Sequence, residues 1–272
     1  VGGPADFFVT PTEEEEGRAV VNLLKKENVP YYVIGNGSNL LVGDGGYRGV
    51  VIQICKNMNK IRVEDDMVYA QAGALLSKTA AQALEHALTG MEFASGIPGT
   101  LGGAVMMNAG AYGGEMKHIL YNVLALTKDG EFRVVPADRM ELGYRSSVFD
   151  KNGDIVLSAQ LKLQPGDPEK IRAYMEELKE KRVTKQPLEY PSAGSTFKRP
   201  EGYFAGKLIE DTGLRGFRVG GAQVSEKHCG FVINRENATA ADIVSLMEQV
   251  ADRVEAKFGV RLEPEVRRIG EF

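Results

Sequence analysis

The chain is poor in the residues that usually announce chemistry: 272 positions hold no tryptophan, two cysteines and three histidines. Cys55 and Cys229 lie far apart and form no disulfide framework, which favours a reducing cytoplasm. His86 has no second ligand one helical turn on. His228 and Cys229, adjacent on an expected strand, point to opposite faces, so no metal site is expected. No apolar run approaches the length of a membrane span and no signal peptide is visible, so the chain is expected to be cytoplasmic and free of membrane. The opening Val1-Gly2-Gly3-Pro4 reads like the interior of a longer sequence. Excess positive charge is also missing: the net charge of −4 argues against a nucleic-acid footprint. No Walker sequence occurs, because Gly206-Lys207 is followed by leucine, and no Rossmann fingerprint occurs, because position 40 is leucine. Ser195-Thr196-Phe197-Lys198 matches Ser-x-x-Lys, but the Ser-Asp-Asn and Lys-Thr-Gly companions of serine acyl chemistry are absent.

What is abundant is glycine, and it is clustered. From Ser95 to Gly114, seven of twenty residues are glycine. Glycine is costly to order, so such a cluster means tight bends or a close backbone approach to something. With Pro98, Asn108 and Tyr112 and few charges, it suggests main-chain amides facing a large polar ligand; a set of architectural turns is the plainer reading. A second loop, Gly35-Asn36-Gly37-Ser38-Asn39-Leu40-Leu41, follows the β run Tyr31 to Ile34 and offers successive amides and a hydroxyl.

Around these loops the pattern predicts mixed structure. Thr12 and Glu15 have capping-box spacing for a first helix with Glu13 to Glu16 at its positive end. Strands are expected over 49–54, 67–71, 155–163, 217–224 and 229–234, and a helix over 77–88 stopped by Gly90. The 121–127 and 131–135 runs flank a Lys-Asp-Gly hairpin signal. Asp167-Pro168 opens a helix running to about 183, and Thr239 with Asp242 opens another that ends at Phe258-Gly259. Three functions remain open on the residues alone: a serine acyl enzyme, a silent nucleotide-binding module, and a cofactor enzyme in which a separate domain brings substrate to a dinucleotide.

Six motifs taken in order narrow this. They are Gly35 to Leu41, Gly96-Ile97-Pro98-Gly99-Thr100-Leu101-Gly102-Gly103, Asn108-Ala109-Gly110-Ala111-Tyr112-Gly113, Tyr144-Arg145-Ser146-Ser147-Val148-Phe149, Ala193-Gly194-Ser195-Thr196-Phe197-Lys198, and Leu262-Glu263-Pro264-Glu265-Val266-Arg267. The series resembles the UDP-N-acetylenolpyruvoylglucosamine reductase family over nearly the whole chain. The resemblance implies an α+β protein with the FAD-binding fold of the vanillyl-alcohol-oxidase type and a C-terminal α/β substrate domain. Its expected divisions are 1–55 and 56–184 for the two FAD-binding subdomains and 185–272 for substrate, with the tail from about 263 returning to the first.

The resemblance also implies a chemistry. NADPH reduces FAD, and the enolpyruvyl group of UDP-N-acetylglucosamine-enolpyruvate then receives hydride at C3 and a proton at C2. Ser195 is implied as proton donor, with Arg145 and Glu265 as catalytic companions. FAD contacts are implied for Gly35, Asn36, Gly37, Ser38, Asn39, Leu40, Ser95, Gly96, Ile97, Pro98, Gly99, Gly102, Gly103, Ala104, Asn108, Gly110, Ala111, Tyr112 and Gly113. Tyr144, Lys185, Lys198, Arg199, His228 and Arg267 are implied for substrate. A guanidinium suits a carboxylate gathering charge, and basic residues suit a diphosphate. No histidine or cysteine lies in either glycine loop, so the flavin is expected to be non-covalent. The tyrosine-bearing loop that some relatives insert after the Arg145 region is absent, which marks the shorter subtype. The expected partner is the small-molecule substrate alone, with no nucleic acid or membrane, and the expected state is a monomer.

Overall fold

The hairpin signal at Lys128-Asp129-Gly130 closes two neighbouring strands, Leu120–Leu126 and Phe132–Pro136, in a five-stranded antiparallel sheet. The sheet continues through Ile155–Lys162, Met67–Gln71 and Ile61–Glu64. Strand periodicity of two sorts its side chains. Val68, Ala70, Val123, Ala125, Ala159 and Leu161 are buried in one core with the helices Leu76–Glu85 and Leu101–Met106. Register places Arg62, Tyr69, Gln160 and Asn122 opposite one another along a single polar row. Helix Glu14–Lys26 is tied to the sheet: Gln71 Nε2 donates to Glu14 Oε1 at 3.0 Å, and Arg18 lies 4.8 Å from the Phe132 ring centre.

The computed structural model describes all 272 residues. They form two compact units, one of Phe7–Gly37 and Gly49–Lys181, the other of Val1–Asp6, Ser38–Arg48 and Arg182–Phe272. The sheet above belongs to the first. The second has a four-stranded antiparallel sheet in the order Ser192–Ser195, Phe231–Asn234, Ala222–Val224, Arg218–Val219. Helix Ala240–Phe258 shares its core through Leu246, Met247, Val250, Ala251 and Val254. That helix starts in the expected Thr239–Asp242 capping box and stops at Gly259, whose φ of +68° suits glycine. Its first two amides, Ala240 and Ala241, donate to the Asp44 carboxylate at 2.8 and 2.9 Å. In the same unit Arg267–Ile269 pairs in parallel with Leu40–Val42.

Several local expectations are corrected. Thr12 does not cap through Glu15; Glu16 reaches back instead, accepting from the Thr12 amide and hydroxyl at 2.7 Å each. The helix expected over 77–88 ends at Glu85, because Ala87 turns to φ +54° and Leu88–Thr89 becomes a short strand. The strand expected over 217–224 is a hairpin folded at Gly220, which has φ +53°. The 229–234 strand begins at Phe231, so His228 and Cys229 sit on a turn, with the Phe231 amide donating to the His228 carbonyl at 3.0 Å.

Candidate active site

The two glycine-rich stretches meet within the first unit. A Cβ on Gly35 would stand 2.1 Å from Thr100 Oγ1, so only glycine lets strand Tyr31–Ile34 empty against the start of helix Leu101–Met106. Asn36 Nδ2 donates to the Pro98 carbonyl at 2.9 Å across the same seam. Gly102 is equally constrained, since its Cβ would lie 2.8 Å from that of Ala72. The amides that open this helix are already engaged: Leu101 donates to Ala74, Gly102 to Ala72, and Gly103 to the Thr100 hydroxyl. Ala104 is buried and donates to the Thr100 carbonyl. By contrast the amides of Asn36, Gly37, Gly96 and Gly99 donate to no backbone carbonyl, and Gly37 has open space where a side chain would be. Ser95 turns its hydroxyl onto the Glu92 carbonyl, and Ile97 is half-buried.

A hairpin follows, pairing Gly110–Ala111 with Gly114–Glu115. Tyr112 and Gly113 form its tip with φ of +52° and +86°, the pair of positive angles that a tight two-residue turn demands. Tyr112 is exposed. Asn108, assigned to the cofactor in the sequence, is buried at 2 % exposure with its amide bonded inside the protein. Arg145 lies in a turn closed by reciprocal bonds between Gly143 and Ser146, at 3.1 and 3.3 Å. Its φ is +53°, a conformation that costs an L-residue about 1–2 kcal/mol. The guanidinium stands 5.4 Å from the ring centre of the exposed Tyr144.

The second unit organises the other catalytic candidates through its backbone. Ser195 ends its strand opposite Phe231 and is exposed; the preceding Gly194, with φ +81°, marks an irregularity in the pairing. Thr196 is 2 % exposed and fully engaged: its amide donates to Gly230 at 2.9 Å and its hydroxyl accepts from the Val232 amide at 2.8 Å. The Thr196 carbonyl then accepts from the Glu265 amide at 2.8 Å, and the Lys198 amide donates to Glu263 at 2.8 Å. Residues 195–198 and 263–265 therefore run side by side. Asn39 fixes the same place, with its side chain donating to the Glu265 carbonyl at 3.0 Å and its own carbonyl accepting from the Arg267 amide at 2.9 Å. Thr196 and Asp44 are supports that sequence reading passed over; a lone Thr after Ser195 or Asp after a glycine carries no signal until folded.

The basic candidates differ in engagement. Lys198 pairs with Glu263 at 3.2 Å. Arg199 donates to the Tyr203 carbonyl at 3.3 Å and stacks 3.9 Å from the Phe204 ring centre. Lys185, at the end of helix Pro168–Lys185, and Arg267 are exposed. His228 is half-buried, its Nδ1 accepts from the Gly230 amide at 3.0 Å, and burial pushes its pKa down with help from Arg215 and Lys185.

Residues 186–269 match the family model described as UDP-N-acetylenolpyruvoylglucosamine reductase, C-terminal domain, and residues 5–135 match that of an FAD binding domain. The reductase of Agathobacter rectalis is 54% identical across 100% of this chain and 90% of its own. That of Clostridioides difficile is 55% identical across 100% and 89%. The chain belongs to the UDP-N-acetylenolpyruvoylglucosamine reductase family.

The solved family structure from Thermus caldophilus, 36% identical, covers 99% of this chain and 94% of its own with a TM-score of 0.83. The fold is therefore the expected α+β fold, the FAD-binding fold of the vanillyl-alcohol-oxidase type, and the chain is an FAD-dependent oxidoreductase. The first unit fits that cofactor on its own geometry: open backbone at Gly37, beside the amides of Asn36, Gly96 and Gly99 that donate to no backbone carbonyl, suits a diphosphate. No helix is long and apolar enough to cross a membrane.

Proposed function

We propose that this family member reduces the enolpyruvyl group of UDP-N-acetylglucosamine-enolpyruvate to give UDP-N-acetylmuramate, a peptidoglycan precursor, with NADPH as reductant. The assignment takes residues 1–55 and 56–184 as the cofactor-holding parts and 185–272 as the substrate part. Asn36, Gly37, Gly96 and Gly99, whose amides the fold leaves unused, would hold the cofactor diphosphate. Bound FAD supplies the hydride, which the substrate takes at C3.

The chain's own residues manage charge and proton. The Arg145 guanidinium meets the substrate carboxylate, where negative charge gathers as the double bond is lost. Ser195 gives its hydroxyl proton to C2. A serine is a weak acid unaided, so Glu265 regulates this donation, acting protonated or through an intervening water, since a bare carboxylate would repel the developing charge. Lys185, Arg199 and His228 take the diphosphate. Lys198 is held by Glu263 and contributes charge more than contact.

The observation that carries this reading is the run of backbone bonds from 196–198 to 263–265, which places the neighbours of Ser195 and Glu265 in one ladder. The test is to separate the half-reactions. The purified protein is expected to be yellow, to release its flavin on acid precipitation, to bleach with NADPH and to recover colour with the sugar nucleotide. A colourless protein that takes up no FAD, or a flavin that bleaches and is not reoxidised by this substrate, overturns the assignment.

A further inference from the structure

The side-chain amide of Asn108 is committed in three directions. Its Oδ1 accepts from the Lys117 amide at 2.9 Å, and its Nδ2 donates to Glu115 Oε2 at 2.9 Å and to the Gly143 carbonyl at 3.0 Å. A carboxamide has two N–H donors, and both are in use. The opposite orientation would set the NH2 against the Lys117 N–H and the carbonyl oxygen against two acceptors, so the direction of the amide is fixed by its partners. Glu115 is held in turn by Lys117 Nζ at 2.9 Å.

Gly143 is the first residue of the turn that carries Arg145 at φ +53°. A left-handed arginine persists only where surrounding contacts over-determine it. Two contacts do so here, one on each side of the turn. Asn108 ties Gly143, and Ser147 Oγ donates to the Met106 carbonyl at 2.7 Å. Asn108 and Met106 are both in the glycine-rich stretch, so the turn is pinned to the loop assigned to the cofactor.

We infer that Asn108 is a positioning residue for Arg145: its side chain locks the Gly143–Ser146 turn and thereby fixes where the guanidinium meets the substrate carboxylate. The inference rests on the reading above, which gives Arg145 that carboxylate. Without the Nδ2 bond the Gly143 carbonyl loses its anchor, and Arg145 relaxes toward ordinary backbone angles with its guanidinium displaced. A displacement of an ångström in a positioned group is worth up to about a hundredfold in rate.

The test is a double-mutant cycle on the holoenzyme, read in both half-reactions. Asn108→Ala is expected to keep its flavin and visible spectrum and to be bleached by NADPH within about twofold of the native rate. Its reoxidation at saturating sugar nucleotide should slow by about ten- to a hundredfold. In an Arg145→Ala background the same change should add less than about twofold, because the group it positions is gone. Asn108→Ser keeps one hydroxyl donor for Gly143 and should fall between; it takes over the cycle if the alanine variant does not fold. Loss of flavin, equal slowing of both half-reactions, or full additivity with Arg145→Ala each overturns the inference. Native reoxidation in Arg145→Ala alone overturns the underlying assignment of Arg145. A slow Arg145→Ala beside a native-like Asn108→Ala overturns only the role of Asn108.

Discussion

Ser195 stands at the end of a strand whose neighbours are bonded main chain to main chain, to Gly230 on one side and Glu265 on the other. Arg145 stands in a turn with positive φ, tied through the side chains of Asn108 and Ser147. A backbone ladder asks little of most side chains, so outside the Thr196 hydroxyl and the Asn39 amide the Ser195 site is expected to tolerate substitution around it. A turn held by a buried amide does not, because a buried polar group that loses its partner is expensive, about 1–3 kcal/mol. The same protein thus sets one catalytic candidate mainly by main-chain pairing and the other mainly by a few named side chains.

The largest expected effect tests the Ser195 half of this comparison. Ser195→Ala should lose the general-acid contribution to enol-ether reduction, about a hundred- to ten-thousandfold, while NADPH bleaches the flavin at the native rate. Ser195→Cys, retaining a transferable proton, should recover part of it. Because the ladder does not depend on the hydroxyl, thermal stability should hardly move. Equal slowing of both half-reactions in stopped flow would make the serine an organiser of its surroundings and not a proton donor.

The basic residues come next. Arg199→Ala and Lys185→Ala should each raise KM for the sugar nucleotide and lower kcat/KM about ten- to a hundredfold, the worth of a charge-assisted hydrogen bond of roughly 1.5–3 kcal/mol. Arg199 also stacks on Phe204, so Arg199→Lys, which keeps charge and loses the planar fork, should recover little. Native kinetics in both alanine variants would reduce them to solvated charges.

Much of this was readable in the chain, and the pattern of what was not has a physical basis. Hairpin, capping box and glycine stop at 120–136, 239 and 259 are local signals, and each appears where it was expected. The resemblance named Ser195, Arg145 and Glu265, but which atoms hold them is long-range information. The bond from Asn39 to Glu265 spans 226 positions. The same limit applies at Asn108: a motif gives a residue's company, whereas only the folded chain shows that its side-chain amide is bonded to Glu115, Gly143 and Lys117. The 217–224 run read as one strand because alternation persists through a hairpin, and only the positive φ at Gly220 breaks it.

A smaller effect probes the glycine seam. Gly35→Ala places a methyl 2.1 Å from Thr100 Oγ1 and should destabilise the protein by about 1–3 kcal/mol in urea unfolding, with weaker FAD retention. Thr100→Ala should cost about 1 kcal/mol by itself through loss of the cap on Gly103. Together they should cost less than their sum, because the second change removes the atom that the first one strikes. Strict additivity would mean that the two loops are not packed as described.

The smallest effect concerns His228, whose ring is held by a backbone amide and can change charge. Its Nδ1 accepts from Gly230, which requires a lone pair there, and protonation fills it. Burial lowers its pKa from the ordinary 6.5, and the cations of Arg215 and Lys185 push the same way, against a hydrogen bond to its own backbone and the Glu210 carboxylate. The folded state therefore binds the proton less readily than the unfolded chain. This group's contribution to stability is fully present above about pH 6.5 and is lost as pH falls through the lower folded value. Because the ring is half exposed, solvent screens the effect and the change is modest. The imidazole should titrate below 6.5 by NMR, and His228→Gln should flatten the rise of urea stability as pH climbs toward 6.5. The neutral Nε2–H left by this tautomer is the donor offered to the diphosphate, so KM for the sugar nucleotide should stay level across that ring's ordinary pKa. A native-like pH slope in His228→Gln, or an imidazole that titrates at or above 6.5, would show that the Gly230 contact does not hold the ring neutral.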